Sequence, residues 1–408
     1  MSKPDKRETK MSNRFMAVAR RLTGIPIRRM YNITTAGEKE AFALKPPYLL
    51  LSNHVNTLDP VILSIMHKRH IHWVAADTLF RNKYLRYALR RLVGSISKSK
   101  SRSDFYTIKQ ITKTVRSGGV VGMFPEGQRT WDGTTLPLSY ATAKLVRMLK
   151  VPVVLCTLDG GYMSLPRWSD TRRRGKMIIN YQKPLYPQDF VGMSTNGIHD
   201  LLTRRLKHDA YAYQREHMVV FKSSKRAEYL EHVLFICPSC GRLHTISSSG
   251  NSVTCSACGY LRELDRYHFF IPVSEGLQFA TPADWNAWQS RELERRMASG
   301  EWDEGETFFA GEPAHLFSGY RDERMKSMGE VRVNMSIEGI IITDDSEQRL
   351  YSFDHIDSLA IAMQRNLEFY HNKSMYRLKF PPPRASAFKY LTVFEALERV
   401  WGQQEAAT

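Results

Sequence analysis

Asn53-His54-Val55-Asn56-Thr57-Leu58-Asp59 places a histidine and an aspartate with four residues between them. An apolar run, Pro47 to Leu51, leads in, and Pro60 follows. The run reads as a short buried strand ending in a polar loop. Asp59-Pro60 reads as an N-cap with proline at the first helical position, opening a helix from Val61 to His67. On one continuous helix the two side chains would fall well off a common face. Across a loop that turns into a helix, the aspartate can fold back to the imidazole. A carboxylate on one ring nitrogen fixes the tautomer and leaves the other nitrogen as a base. Taken alone, the spacing also describes a capped helix beside an incidental histidine.

Phe124-Pro125-Glu126-Gly127-Gln128-Arg129 is the second constellation. It follows a strand pattern and delivers polar groups into a loop. Glycine lets another backbone or a ligand approach closely, and amides near Gly127 can face an oxyanion. The arginine fork suits a phosphate. The third constellation is Cys237-Pro238-Ser239-Cys240 and Cys255-Ser256-Ala257-Cys258, with fourteen residues between the pairs. Each pair fits a tight knuckle, and the four thiolates complete a tetrahedral site for a structural zinc. A redox pair and a nucleic-acid finger compete with this reading, and the scarcity of basic residues around the ribbon counts against the finger. His244 is spare and reads as a surface residue.

Elements that alternate between strand and helix patterns must position the first two sets. Strands are expected at Ile71–Ala76, Val93–Ile96, Val120–Phe124, Val151–Leu158 and Met177–Tyr181. Helices are expected at Tyr84–Leu92, Asp104–Arg116 and Ser139–Lys150. Such alternation indicates an α/β domain, a mostly parallel sheet flanked by helices, over residues 45–220. Before it, residues 1–44 form a basic segment. Its Arg14 to Tyr31 stretch suits either a membrane interface or ordinary packing, and Pro26 should break it in two. After it come a small zinc ribbon (233–262), a helical connector (263–311) and a β-rich domain closed by one helix (312–404). The charges of Asp284 to Met297 suggest an exposed connector helix, followed by an acidic linker from Glu301 to Glu306.

The net charge of +18 is uneven. Residues 1–220 hold 38 basic and 15 acidic side chains, and residues 221–408 hold 21 and 26. A surface this basic attracts phosphorylated substrates, acidic headgroups or nucleic acid. Clustered cysteines, with Cys156 alone in an apolar strand, argue against a disulfide framework and for a reducing compartment. No stretch approaches the roughly eighteen continuous apolar residues of a membrane span. The N-terminus lacks the apolar core of a secretory signal.

In order along the chain, Asn53-His54 with Asp59, Gly94 to Lys98, Phe124 to Arg129 and Val151 to Val154 resemble the glycerophospholipid acyltransferase superfamily. The closest branch is that of the 1-acylglycerol-3-phosphate acyltransferases, and the resemblance covers roughly residues 45–190. The NHxxxxD and FPEGxR signatures match at every fixed position. Lys98 stands where the second block usually ends in arginine, with Arg102 nearby. Leu155-Cys156 stand where the fourth usually continues with proline. The resemblance implies His54 as general base and Asp59 as its orienter. It also implies Asn53, Lys98, Arg102, Glu126, Gly127 and Arg129 around a lysophospholipid acceptor. Coenzyme A or acyl carrier protein would carry the acyl thioester. Another lysophospholipid acceptor, a zinc-ribbon adaptor or a silent membrane scaffold stay open as alternatives. Zinc would sit on Cys237, Cys240, Cys255 and Cys258. The last segment resembles pleckstrin-homology and GRAM-like domains in pattern. The expected setting is cytoplasmic, peripheral on the inner face of a membrane, with no nucleic-acid partner and the oligomeric state open.

Overall fold

The computed structural model describes residues 6–98, 105–271, 278–301, 307–319, 325–372, 374–382 and 386–407. It divides into two compact units, residues 1–167 with 172–222, and residues 168–171 with 223–408.

The first unit is built on a seven-stranded sheet. Its strands are β1 (Ile33–Gly37), β2 (Tyr48–Ser52), β3 (Ile71–Ala76), β4 (Ile96–Lys98), β5 (Val120–Met123), β6 (Val153–Asp159) and β7 (Met177–Tyr181), in the order β1-β7-β6-β2-β5-β3-β4. All neighbours are parallel except β6 and β7. Every residue of β2 is buried. A central parallel strand covered on both faces needs a continuous apolar run, which is why Leu49-Leu50-Leu51 does not alternate. Helices Phe105–Arg116, Tyr140–Leu149 and Thr195–Leu206 supply Ile111, Val115, Leu145, Val146, Ile198 and Leu202 to the same core as Leu49 and Leu51.

Gly122 in β5 has a steric reason. A Cβ there would lie 2.4 Å from Ile71 Cγ2 and 2.7 Å from the Trp73 ring. The missing side chain lets Trp73 lie against the sheet close to the loop that follows β5.

Two boundaries differ from the sequence expectation. Helical backbone continues through Val93 and stops at Gly94, whose φ of 69° ends it, so the short strand starts at Ile96 instead of Val93. Pro26 lies inside one helix, Lys6–Met30, and does not divide it. The inward side of that helix is anchored, with Ser12 and Met16 buried and Arg20 Nη1 donating to His67 O at 3.0 Å. The Tyr31 N–H bond to Ile27 O continues the helical pattern past the proline.

In the second unit, β8 (Ile246–Ser249), β9 (Ser252–Cys255) and β10 (Leu261–Glu263) form a three-stranded antiparallel sheet whose β9–β10 turn carries the second cysteine pair. A seven-stranded antiparallel sheet follows, with β11 (Thr307–Gly319), β12 (Lys326–Ser336), β13 (Gly339–Thr343), β14 (Gln348–Ser352), β15 (Ile356–Ala362), β16 (Asn366–His371) and β17 (Ser374–Lys379). The order is β14-β13-β12-β11-β17-β16-β15, and helix Phe388–Ala407 ends the chain. Strand β11 escapes a period-two reading because its pairing with β12 shifts register around Phe309 and Glu312.

Helix Pro282–Ala298 is not the exposed connector that its charges suggest. Trp285, Gln289 and Leu293 have no exposed surface. Gln289 Oε1 accepts from Phe235 N at 3.0 Å, and its Nε2 donates to Val233 O at 2.7 Å. The charges occupy one side while the other side locks the segment before the first CxxC pair. Of the acidic linker, residues 302–306 lie outside the described residues. Gln289→Leu should cost about 2–4 kcal/mol, because two buried backbone groups lose their partner. Urea denaturation reads this as a lower midpoint, and an unchanged midpoint would return the helix to a connector role.

Candidate active site

Strands β2 and β5 are parallel neighbours, so the loops after Ser52 and Met123 leave the same edge of the sheet. The first loop carries Asn53 to Asp59 and the second Phe124 to Arg129.

Asp59 is buried and is the first residue of helix Asp59–Met66, with Leu58 at the cap position. This corrects the N-cap expectation. The carboxylate turns back into the loop instead of forward to the helix amides. Its Oδ2 accepts from Val55 N, Asn56 N and His54 Nδ1, each at 2.8 Å. An ionised carboxylate only accepts, so Nδ1 of His54 carries the proton and Nε2 is left as a base. The His54 side chain keeps 18% exposure, which gives that base access to a reactant. Burial pushes the imidazolium below its ordinary value, and the bond to Asp59 opposes this.

Glu126 holds the two loops together. Its Oε1 accepts from His54 N at 2.7 Å and its Oε2 from Leu136 N at 2.8 Å. Burial pushes its carboxyl up to about 8, against both N–H bonds. The ionised form is the one whose two oxygens both suit backbone donors. A second tie joins Thr130 N to His54 O at 3.0 Å. The His54 ring stacks on Phe124 with centroids 4.1 Å apart, and Phe124 stacks on Trp73 at 4.8 Å. The three rings fix the imidazole plane from one side.

The remaining expected residues take different places. Asn53 is buried, and its Oδ1 accepts from Leu158 N in β6 at 2.9 Å, so that oxygen anchors the loop to the sheet. Gly127 has φ of 73° and open space where a Cβ would point. Its N–H closes the turn onto Phe124 O at 3.0 Å, so this amide is spent within the loop and does not serve as the free oxyanion donor expected of it. Arg129 Nη1 donates to Thr57 Oγ1 at 2.6 Å, which places the guanidinium across the mouth of the histidine loop. Lys98 ends β4, on the same edge of the sheet as His54. It stands three strands from β2, roughly 14 Å at about 4.8 Å per strand. Arg102 lies outside the described residues.

Sequence reasoning missed Arg167. It is buried, lies 4.3 Å over the Trp131 ring and donates from Nη1 to Arg129 O at 2.8 Å. Both Arg129 and Arg167 act electrostatically on His54. Nothing in Leu165-Pro166-Arg167-Trp168 marks this arginine, because its partners lie 38 and 36 positions earlier. Trp73 was equally invisible, since only the sheet brings it under Phe124. A neutral, oriented imidazole beside two guanidinium groups can take a proton from a substrate that carries negative charge.

The cysteines form a separate cluster in the second unit. The four Sγ atoms lie within 4.8 Å of one another, with Cys237 to Cys258 at 3.6 Å and Cys240 to Cys255 at 3.8 Å. Zinc–sulfur bonds of about 2.3 Å in a tetrahedron put sulfurs about 3.8 Å apart, so the set fits that ion. Disulfides, at about 2.05 Å, do not fit. The two knuckles share one backbone pattern. Gly241 N donates to Cys237 O and Gly259 N to Cys255 O, with φ of 70° and 74° at the glycines. His244 is exposed, as expected, but its ring is not without contacts. It packs on Phe309 at 4.9 Å between centroids and contacts Lys389.

Comparison with known proteins matches residues 16–159 to the acyltransferase family. The chain is 24% identical over 174 residues to the 1-acyl-sn-glycerol-3-phosphate acyltransferase of Bacillus subtilis (strain 168), covering 41% of this chain and 84% of that enzyme. It is 25% identical over 171 residues to the chloroplastic 1-acyl-sn-glycerol-3-phosphate acyltransferase BAT2 of Brassica napus, covering 41% of this chain and 49% of that one. Among solved structures it is similar to the 1-acyl-sn-glycerophosphate acyltransferase PlsC of Thermotoga maritima, with TM-score 0.40 and 17% identity, covering 52% of this chain and 85% of that one. All these matches leave a large part of the chain uncovered.

Glu126→Ala should cost about 2–4 kcal/mol, since it removes the acceptor of two N–H groups in the loops. Glu126→Gln keeps one acceptor oxygen and should lose about half as much. A thermal-denaturation series in which the alanine variant matches the wild type would remove the clamp role.

Proposed function

We propose that the domain holding residues 16–159, which match the acyltransferase family, moves a fatty acyl chain from a thioester to the free hydroxyl of 1-acylglycerol 3-phosphate, giving phosphatidic acid. The observation that carries this reading is the His54–Asp59 pair beside Arg129 and Arg167. Its base suits an alcohol, and its cations suit a phosphate on the same molecule. The names of the two curated relatives support the same acceptor.

In the proposed reaction the acceptor oxygen attacks the thioester carbonyl while His54 Nε2 takes its proton. The C–O bond forms, the C–S bond breaks, and the proton leaves with the thiolate as the free thiol. Asp59 keeps Nδ1 protonated before the step and stabilises the imidazolium during it. Arg129 contacts the phosphate, and Arg167 holds the backbone of Arg129 in place. Glu126 acts first as the clamp on the His54 backbone, and any contact with the glycerol would use its remaining lone pairs. Lys98 and Arg102 are assigned to the approach path of the anionic substrate. The donor carrier is coenzyme A or acyl carrier protein.

The setting we propose is peripheral, on the cytoplasmic face of a membrane. Among the described residues, no helix is long and apolar enough to cross one. Helix Lys6–Met30 instead exposes Phe15, Val18, Leu22 and Ile25, spaced as one stripe, while Ser12 and Met16 on a neighbouring side are buried. A stripe of that kind flanked by arginines suits the headgroup boundary. The four cysteines are assigned to a structural zinc. The seven-stranded sheet with its closing helix fits the pleckstrin-homology or GRAM-like reading, with a packing or partner role.

His54→Ala should lower thioester release by about 10²–10⁴-fold with an unchanged circular dichroism spectrum. A panel of lysophospholipids run beside it identifies the acceptor, and near-normal turnover by the variant would sink the assignment. The neutral imidazole is the active form and burial holds its pKa below 6.5. The rate should therefore rise with pH, reach half its maximum below pH 6.5 and stay level through neutrality. Cys255→Ser should lose stoichiometric zinc by metal analysis and destabilise the second unit, and zinc content equal to wild type would exclude these ligands.

A further inference from the structure

A cavity of about 500 Å³ opens in the first unit, away from the His54 loop. It is lined at the start of β5 (Val120) and just before β3 (His70), whereas His54 and Glu126 follow the C-terminal ends of β2 and β5. Four residues of β5 thus separate the two places, roughly 13 Å at about 3.3 Å per residue. Arg20, Lys68, Arg69, Arg90 and Lys113 line this cavity, and no carboxylate does so among the described residues. Ser12, His72, Ser95, Gln110 and Ser117 are among the other residues of its wall.

Cations are ordinary at helix C-termini, and three helical runs end here, at Met66, Val93 and Arg116. Each end carries about half a negative charge. Three such ends absorb about one and a half positive charges, against five basic side chains. Arg20 is already committed in this way, since its Nη1 donates to His67 O and Lys68 O. Arg90 also lies 5.6 Å over the Phe80 ring, but several positive charges remain around one small polar cavity with no carboxylate in its lining among the described residues. Arg20, Lys68, Arg90 and Lys113 come from four separate helical runs or the turns that follow them. Such an arrangement converges on a ligand instead of following one solvated face. A multiply charged oxyanion supplies the compensating charge and accepts from the guanidinium and ammonium groups.

We infer that this cavity is a second anion site that takes a phosphate monoester, separate from the candidate active site. The same chemistry is offered by the headgroup of phosphatidic acid and by free phosphate. The first source is within reach, because helix Lys6–Met30 contributes Ser12, Asn13 and Arg20 to the cavity and also carries the exposed apolar stripe. Occupation would then tie the position of that helix to the anion content of its surroundings.

The test uses the full chain carrying Arg129→Gln, so that phosphate bound by the catalytic loop does not mask the second site. Calorimetric titration with inorganic phosphate at fixed salt should show saturable binding. Adding Lys68→Glu with Arg69→Glu should weaken it at least tenfold. Lys113→Gln, on a different element, should weaken it severalfold and covers the case in which the double variant does not fold. Vesicles of phosphatidylcholine containing phosphatidic acid should compete with phosphate if the lipid is the source, and vesicles of phosphatidylcholine alone should not. Competition by neither vesicle leaves free phosphate as the source and supports the site equally. Absence of saturable binding, or equal binding by Lys113→Gln and its Arg129→Gln parent, overturns the proposal.

Discussion

One buried carboxylate organises the first unit's chemistry. Asp59 Oδ2 receives two backbone N–H groups and the imidazole N–H within a single seven-residue loop. A charge without exposed surface is costly unless it is compensated, and these three donors compensate it. The same bonds fold the loop that leads into the helix Asp59–Met66 and set the tautomer of His54. The cap reading of this segment thus gives way to the orienting one, since no helix amide bonds to the carboxylate. The first residue of the helix is the one that orients the base.

The rest of the site exists because β2 and β5 are neighbours. Parallel pairing delivers their two loops to one edge, where Glu126 reaches the backbone of His54 and Phe124 reaches its ring. Glycine at position 122 lets Trp73 come close enough to back that stack. A core residue choice thus sets the plane of the imidazole two contacts away. Arg167 contributes through its bond to Arg129 O, which steadies the loop that presents the guanidinium. Preorganisation of this kind matters because a proton transfer tolerates little error in donor–acceptor geometry.

The second unit follows another logic. Its cysteine knuckles are short-range structures, each closed by a glycine with positive φ, and they need little around them. What surrounds them is nevertheless ordered. Gln289 satisfies the backbone at Val233 and Phe235, just before Cys237, and His244 is held against Phe309. Helix Pro282–Ala298 is thus part of the packed unit, although its sequence is rich in charge.

The sequence by itself determined the features whose partners lie within a few residues. His54 with Asp59, the two CxxC pairs and the alternation of strands and helices could be read directly, because spacing alone puts those groups in reach. The same holds for the glycine-bearing turn at Gly127 and the long antiparallel segment near the C-terminus. Only the tertiary structure decided the roles of Glu126, Asn53 and Arg167, and the burial of helix Pro282–Ala298. Glu126 and Asn53 bond to backbone N–H groups 72 and 105 positions away. Every residue but proline carries such a donor, so no residue type marks the partner. Lys98 shows the converse. Its type and position in order suited a phosphate contact, but the strand order β2-β5-β3-β4 sets it three strands from the base. Order along the chain does not fix order across a parallel sheet, since each crossover can place the next strand on either side.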